Sequence, residues 1–203
     1  MSMYEKLADA MFPGIKHTPE HFENIYPPRQ LKEGARVTRI APSPTGYLHL
    51  GVLFTAMVNR ITAKSTGGIF YFRLEDTDKK REVEGGAEDI LKGLNDFGVI
   101  PDEGFVAPGK TVGDYGPYQQ SQRAEIYQTY AKSLVLQGLA YPCFCSEEDR
   151  QAARENQEKL KVRTGYYGEF AVCRNLSPEQ AIEKIQQGHP FVVRLRSPGS
   201  EEN

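Results

Sequence analysis

The sequence is poor in cysteine and has no long hydrophobic run. Three cysteines are a small and odd number, which argues against a disulfide-linked scaffold and favours a protein whose thiols stay reduced. No apolar run approaches the roughly 20 residues that a membrane-spanning helix needs. The segment from Met1 to Lys16 also lacks the apolar core of a signal peptide. We therefore expect a cytoplasmic protein with no membrane partner.

The chain also lacks an excess of charge of one sign. Its 203 residues carry a formal net charge of −2, so charge alone gives no sign of a nucleic-acid partner. Any contact with RNA must use a local basic patch. Hydrophobic residues make up 39% of the chain and charged residues 26%, which is typical of a globular protein. This length accommodates one sizeable core, or a core with a smaller inserted domain.

The segment from Arg39 to Gly51 has the order of a strand, a tight turn and a helix. An apolar strand over Val37 to Ala41 precedes a turn rich in proline and glycine, and a helix is predicted from His49 to residue 65. Free N–H groups and the positive dipole end at a helix N-terminus bind anions. Gly51 lets a phosphate or an adenine ring approach the backbone, and His49 and Thr45 offer donors. The alternative is a proline-rich turn before a core helix.

A second strand and a second helix follow. Residues 69–74 are an aromatic-rich run of strand length with Glu75 directly behind it, and a helix is predicted over residues 84–97. This order builds a parallel sheet, whose ligands bind at the carboxyl ends of the strands. Arg39 and Glu75 are therefore expected side by side, where a cation and a carboxylate suit a zwitterionic amino acid. A structural ion pair between the strands is the alternative.

The remaining sequence predicts short elements. Glycine-rich residues 98–120 predict a loop, in which Tyr115 and Tyr118 are candidates either to stack on an unpaired RNA end or to be core rings. The other predicted elements are short helices in residues 1–34, a helix over residues 121–137, a strand over residues 140–145, helices that begin at Ser146 and Ser177, and a strand over residues 191–196.

Five segments of the chain resemble landmarks of the class I aminoacyl-tRNA synthetases in their glutamyl form. They are RIAPSPTGYLHLG at residues 39–51, FRLEDTD at 72–78, GPYQQSQR at 116–123, AYPCFC at 140–145 and PFVVRLR at 190–196. The resemblance covers about residues 36–199 and is weak over residues 1–34. It implies an α/β fold with three parts: a helical extension over residues 1–34, the first half of a Rossmann-like nucleotide-binding parallel sheet over 35–120, and, over 121–203, the end of that half with a truncated, inserted α+β domain that binds the tRNA acceptor end.

The resemblance further implies the activity of a glutamate–tRNA ligase. Such an enzyme uses ATP and Mg²⁺ to activate glutamate as an adenylate and transfers the glutamyl group to tRNA(Glu); we expect a monomer. Glutamate is expected to contact Arg39 with its side-chain carboxylate and to contact Ala41, Ser43 and Glu75 with its α-carboxylate and amino end. His49 and Thr45 are the expected catalytic residues at the phosphates. The residues expected to bind ATP are Pro42, Thr45, Gly46, His49 and Gly51.

One position departs from the family pattern. Val52 follows the His49–Gly51 signature where the family usually has glycine, asparagine, threonine or histidine. A β-branched apolar side chain there is expected to narrow the nucleotide pocket slightly, while His49 and Gly51 are kept.

The three cysteines are candidate zinc ligands through the same resemblance. Cys143 and Cys145 alternate on a predicted strand, so both thiols face one side, and Cys173 lies later in the chain. Some glutamyl enzymes carry zinc on a similar set of cysteines and a tyrosine, although here the spacing from the tyrosine to the last cysteine is longer than in that pattern. A structural zinc site takes four ligands, so Tyr166, Tyr167 or a water must supply the fourth. The alternative is three reduced cysteines, some packed as small apolar residues.

Several basic residues are candidates to contact RNA phosphates, with a solvated charged loop as the alternative for each. They are Arg73, Lys79, Lys80, Arg81, Arg123, Arg194 and Arg196. The family's lysine-rich second signature and its anticodon-binding region do not occur in this sequence, so we expect an N-terminal fragment that is inactive alone. Two other interpretations stay open: a glutaminyl- or glutamyl-queuosine-type relative, and a non-catalytic module that binds nucleotide or RNA. Arg39 and the PSPTG segment favour the glutamyl type over the glutaminyl type.

Overall fold

The computed structural model describes residues 1–197, which fall into two compact units. The sheet unit spans residues 22–125, and the terminal unit combines residues 1–21 with the chain from residue 126 onward. In chain order the helices and strands are α1 (Met3–Met11), α2 (Pro19–Ile25), β1 (Val37–Ile40), α3 (Leu50–Thr66), β2 (Ile69–Phe72), α4 (Gly86–Asp96), β3 (Glu103–Ala107), β4 (Lys110–Val112), α5 (Ala124–Leu136), β5 (Ala140–Cys143), α6 (Glu147–Leu160), α7 (Pro178–Gln186) and β6 (Val192–Leu195).

The sheet unit confirms the predicted α/β fold with a parallel sheet. Its four strands lie in the order β1-β2-β3-β4. β1 and β2 are parallel, with Arg39 opposite Tyr71, and β2 and β3 are also parallel, with Tyr71 opposite Glu103. Helices α3 and α4 connect the parallel strands. The carboxyl ends of β1 and β2 therefore meet at one edge of the sheet, as the sequence predicted.

A core forms where α3 and α4 pack against the sheet. Side chains alternate along β2, so Phe70 and Phe72 are fully buried. The helix α4 places Ile90, Leu91 and Leu94 on one buried stripe, because residues three and four apart share a helix face. This packing holds the strand ends that carry the candidate site.

The predicted loop over residues 98–120 is partly wrong. β3 and β4 form an antiparallel hairpin there, with Phe105 opposite Thr111. The glycines suggested a loop, but Glu103 and Gly104 pair with β2 and Phe105 is buried in the core. Pairing with a distant strand therefore outweighs the weak strand propensity of this segment.

In its described residues the terminal unit contains the antiparallel pair β5–β6, the helices α1, α6 and α7, and parts of α2 and α5, with α1 packed on α7. The capping boxes expected at Ser146 and Ser177 are confirmed. Asp149 N donates to Ser146 Oγ at 3.1 Å, and Gln180 N donates to Ser177 Oγ at 3.3 Å.

The domain limits predicted at residues 34 and 120 stay a prediction. Across residues 1–197, no helix has the length and apolarity required to span a membrane.

Truncating a buried ring should destabilise the sheet unit far more than truncating an exposed one. Phe70 is fully buried, whereas the Phe54 side chain on α3 is 66% exposed. We expect Phe70→Ala to lower the free energy of unfolding by about 3–5 kcal/mol and Phe54→Ala to change it by about 0.5 kcal/mol or less. Urea denaturation of the 203-residue chain, followed by circular dichroism, measures both. Equal losses in the two variants would contradict this description of the core.

Candidate functional site

Two charged side chains meet at the carboxyl ends of β1 and β2. The Arg39 Nη1 atom lies 3.8 Å from the Glu75 Oε1 atom. The Arg39 side chain is 39% exposed, so the pair borders solvent. The predicted proximity of these two residues is therefore confirmed, while their roles stay a prediction.

Glu75 has a closer partner in Arg73. The Arg73 Nη2 atom donates to the Glu75 Oε1 atom at 2.9 Å, and the Arg73 side chain is mostly buried. Arg73 was a candidate for RNA contact, but its guanidinium forms this ion pair instead. The two-residue spacing of Arg73 and Glu75 could have predicted the pair, because residues two apart in extended backbone share a face. Two guanidinium groups thus flank one carboxylate.

The loop between β1 and α3 is anchored to the segment that follows β2. The Pro42 carbonyl accepts a hydrogen bond from Glu75 N at 2.9 Å, and the Pro44 carbonyl accepts one from Val83 N at 2.8 Å. The backbone thereby joins Glu75 to the loop that carries the other predicted ligands. Four of the predicted binding residues on this loop are half-buried: Ala41, Ser43, Thr45 and Gly46.

His49 and Gly51 lie at the N-terminus of the 17-residue helix α3. His49 is the extended N-cap residue, and among the described residues none of the first-turn N–H groups bonds to its exposed side chain. A Cβ at Gly51 would lie 3.2 Å from His49 Nδ1, so glycine leaves room for the imidazole. The first turn, Leu50 to Leu53, contains no acidic residue. Its N–H groups and dipole therefore favour an anion.

Val52 has a packing role in this helix. It is half-buried and, like Leu48, packs against the core of the sheet unit. The apolar residue at this unusual position is thus explained by core contact, and its expected effect on the nucleotide pocket stays a prediction.

A buried carboxylate follows Glu75. Asp76 is 5% exposed and accepts hydrogen bonds from Ser121 N at 2.9 Å and from Ser121 Oγ at 2.6 Å. Burial raises the pKa of Asp76, but the Ser121 hydrogen bonds and the nearby Lys79 charge outweigh it, so the pKa lies below its ordinary value. Asp76 therefore ties the segment around residue 121 to the acidic end of β2.

The three cysteines converge in the terminal unit. Their sulfur atoms all lie within 4.8 Å of one another, and Cys145 Sγ is 3.6 Å from Cys173 Sγ. The Tyr166 hydroxyl lies 3.2 Å from Cys143 Sγ and 3.3 Å from Cys145 Sγ. Tyr167 bonds instead to the Arg163 carbonyl. Four donors on one centre fit a tetrahedral ion such as Zn²⁺, whose thiolate sulfurs are about 3.8 Å apart at a Zn–S distance of about 2.3 Å.

The thiols of this cluster differ in acidity. Burial raises the pKa of Cys143, but hydrogen bonding with Tyr166, Arg194 and other groups lowers it to about 7. Burial is the largest cause that raises the pKa of Cys145 to about 11. The pKa of Tyr166 is also raised, by burial and by its bond to Cys143. Burial disfavours the charged form of these groups, and a bound cation would stabilise it, because thiols bind metal in their deprotonated form.

Several candidate RNA contacts have partners within the chain, some of them buried and some on the surface. Tyr118 is 1% exposed and is a core ring, not a free stacking platform. Arg194 stacks on Tyr166 at 4.0 Å, and Arg196 donates to the Gly138 and Arg174 carbonyls at 3.1 and 3.0 Å. Other candidates form ion pairs or backbone bonds: Lys79 with Glu82, Arg81 with Asp78 and Arg123 with the Pro117 carbonyl. The partners of Lys79 and Arg81 lie only three residues away. The partners of Arg194 and Arg196 lie far away in the sequence, where no local pattern signals them.

Comparisons with known proteins identify the family of this chain. A family model described as tRNA synthetases class I (E and Q), catalytic domain, matches residues 36–203. A glutamate–tRNA ligase of Clostridium beijerinckii is 51% identical over 199 residues, which cover 98% of this chain and 36% of the relative. A glutamate–tRNA ligase of Acetivibrio thermocellus is 50% identical over 200 residues, with 98% and 36% covered. The chain thus spans about a third of the length of the curated relatives that it matches.

A solved structure is similar in fold as well. It is the crystal structure of a glutamate tRNA ligase from Elizabethkingia meningosepticum in complex with its amino acid. The sequence identity is 36% and the TM-score is 0.70, with 82% of this chain and 33% of that chain covered.

Removing the Ser121 hydroxyl should destabilise the sheet unit at neutral pH and less in acid. Ser121→Ala deprives the Asp76 carboxylate of one hydrogen bond, which is expected to cost about 1.5–3 kcal/mol. The folded-state pKa of Asp76 is lowered, so its stabilising contribution is present above its ordinary pKa and is lost as pH falls through the folded pKa. Urea denaturation should show the full loss at pH 7 and a smaller one below about pH 4.

The control is Ser65→Ala, which removes an exposed hydroxyl on α3. It should change the free energy of unfolding little at either pH. A Ser121→Ala loss that is the same at pH 7 and in acid would show that the ionised Asp76 is not its partner.

Proposed function

Since the chain belongs to the class I tRNA synthetase family for glutamate and glutamine, we propose that it is the glutamate- and ATP-binding part of a glutamate–tRNA ligase. In the proposed reaction the α-carboxylate of glutamate attacks the α-phosphate of ATP and pyrophosphate leaves. The glutamyl group of the resulting adenylate then passes to a hydroxyl of the terminal ribose of tRNA(Glu), and AMP leaves. No protein nucleophile takes part, so the residues act by positioning the reactants and by electrostatic support of the phosphoryl centre.

The observation that carries this proposal is the charge balance at the ends of β1 and β2. Arg39 and Arg73 flank Glu75, so the three groups sum to one positive charge. Free glutamate has two carboxylates and one ammonium, which sum to one negative charge. A guanidinium also matches a carboxylate in geometry, because it donates two parallel hydrogen bonds. The arrangement therefore suits glutamate better than its neutral amide, glutamine.

Each predicted ligand has a role in this proposal. Arg39 takes the side-chain carboxylate of glutamate, Glu75 takes the ammonium, and Ala41 and Ser43 line the α-carboxylate. The phosphates of ATP lie at the N-terminus of α3, where the exposed His49 and the anion-favouring first turn support the proposal. The remaining proposed ATP ligands are Pro42, Thr45, Gly46 and Gly51, and Mg²⁺ accompanies ATP.

The full activity needs more polypeptide than this chain contains. The relatives are about three times as long, and α3 exposes an apolar strip made of Leu50, Phe54, Met57, Val58 and Ile61. β1 is an edge strand of the described sheet. We propose that the rest of the enzyme packs on this strip and edge, because apolar surfaces of this kind mark interfaces. We further propose a monomer that acts in the cytoplasm, where free thiols stay reduced.

The acceptor end of the tRNA is proposed to bind the terminal unit. A cavity of about 720 Å³ lies beside the cysteine cluster. Phe144 and Phe170 line it, and unpaired bases stack on such rings. Its charged residues balance, with Arg150 and Lys184 against Asp149 and Glu169, so stacking and not net charge carries this recognition.

The cysteine cluster is proposed to hold one structural zinc ion. The support is the donor set of Cys143, Cys145, Cys173 and the Tyr166 hydroxyl described above. Zinc held there joins the end of β5 to the segment around Cys173, and it leaves no open position for catalysis.

The reaction itself is tested by pyrophosphate exchange with a polypeptide of the relatives' length that contains this chain. We expect exchange that depends on glutamate. Arg39→Gln should raise the KM for glutamate about 30-fold or more, equivalent to about 2 kcal/mol, because the side-chain carboxylate loses its charged partner. The KM for ATP should stay nearly constant.

The matched control is Arg154→Gln, which removes an exposed guanidinium on α6. It should leave both KM values unchanged. Wild-type exchange that ignores glutamate would overturn the proposed function, and equal effects of Arg39→Gln on ATP and glutamate would overturn the assignment of Arg39.

Metal analysis tests the zinc site separately. The chain purified with zinc should contain about one zinc ion, and zinc affinity should rise with pH because binding releases thiol protons. Cys173→Ser should abolish binding, and Tyr166→Phe should weaken it at least about tenfold. Tyr167→Phe is the control, since its hydroxyl lies outside the cluster. A metal-free wild type at saturating zinc would refute the site.

A further inference from the structure

An ion pair joins the segment that precedes β1 to Glu103, the first residue of β3. Arg29 donates from Nη1 and Nη2 to the two carboxylate oxygens of Glu103, each at 2.6 Å. Both side chains are 14% exposed. The Arg29 guanidinium also lies 3.7 Å over the Tyr115 ring, whose hydroxyl donates to the Pro27 carbonyl at 2.7 Å. Two parallel charged bonds in a mostly buried site give a fixed geometry.

The same carboxylate holds Tyr118. The Tyr118 hydroxyl donates to Glu103 Oε2 at 2.6 Å and accepts from Tyr115 N at 3.1 Å. A Cβ at Gly113, whose φ is +104°, would lie 2.6 Å from this hydroxyl. The local chain is therefore shaped around the bond between Tyr118 and Glu103. The carboxylate is charged at neutral pH, since the Arg29 hydrogen bonds keep the pKa of Glu103 below its ordinary value.

Tyr118 in turn forms a backbone hydrogen bond with Leu74, just after the end of β2. Its carbonyl accepts from Leu74 N at 2.9 Å, and Gln120 N donates to the Leu74 carbonyl at 2.8 Å. Leu74 directly precedes Glu75, and Ser121 binds the next residue, Asp76. The chain of contacts from Arg29 thus ends on both sides of Glu75.

We propose that Arg29 is a positioning residue, which acts through Glu103 and Tyr118 to hold residues 118–121 against the end of β2 and so sets the position of Glu75. This inference rests on the proposed function, in which Glu75 takes the ammonium of glutamate. Arg29 lies before residue 36, where the match to the catalytic-domain family model begins. The residues ahead of that domain thereby gain a role in the amino-acid site.

Hydrogen exchange of the 203-residue chain tests the mechanical part without any enzyme assay. Arg29→Met should raise the exchange rates of the Leu74 and Gln120 amides about tenfold or more, while the Leu94 amide in α4 keeps its rate. Tyr118→Phe, which removes a single hydroxyl, should act in the same direction. Lys92→Met is the matched control, because it breaks an exposed ion pair in the same unit.

Pyrophosphate exchange with the longer polypeptide tests the consequence for the site. Arg29→Met should raise the KM for glutamate about tenfold and leave the KM for ATP unchanged, and Lys92→Met should change neither. Arg29→Lys should restore part of the loss, because it keeps the charge and loses the paired bonds. Arg29→Met combined with Tyr118→Phe should cost little more than either variant alone, since both act through Glu103.

The two proposals fail in different ways. A wild-type enzyme without glutamate-dependent exchange overturns the proposed function, whatever the amides do. Unchanged exchange at Leu74 and Gln120 in both variants, or an equal rise at Leu94, overturns the positioning role even when the enzyme is active. A KM for glutamate that stays at the wild-type value in Arg29→Met also overturns it.

Discussion

Parallel pairing of β1 with β2 is the constraint on which the site depends. The register that sets Arg39 opposite Tyr71 and Ile40 opposite Phe72 brings both strands to an end at the same level. Arg39 and Glu75 then lie within 3.8 Å although they are far apart in sequence. The buried side chains on the other face, Phe70 and Phe72, hold this register against α3 and α4. A slip by one residue would turn Arg39 towards the core.

Two further layers refine what the pairing sets up. Backbone bonds from Glu75 to Pro42 and from Val83 to Pro44 bring the loop before α3 to the strand ends, and the helix dipole adds an anion site at that point. The charges at the site also differ in exposure. The mostly buried Arg73 forms the closer ion pair with Glu75, and Arg39 is the more exposed of the two guanidinium groups. The terminal unit has its own organising cluster, in which three sulfur atoms and one phenol share a volume that suits a metal ion.

The sequence was informative wherever local pattern decides structure. Short apolar and aromatic runs predicted β1 and β2, capping residues predicted the starts of α6 and α7, and the order of strands and helices predicted a parallel sheet. It failed where distant partners decide. Residues 103–112 were predicted as a loop because their glycines hid a hairpin that needs pairing with β2. The link from Arg29 to Glu103 joins residues 74 positions apart, which no local pattern signals.

A crystal structure of an enzyme of the relatives' length, with glutamate and a non-reactive ATP analogue, shows directly whether Arg39 binds glutamate. We expect the side-chain carboxylate of glutamate to accept hydrogen bonds from the Arg39 guanidinium, with the ammonium beside Glu75 and the phosphates at the N-terminus of α3. Glutamate bound away from the ends of β1 and β2, or an Arg39 side chain that makes no contact with it, would show that the proposed site is wrong.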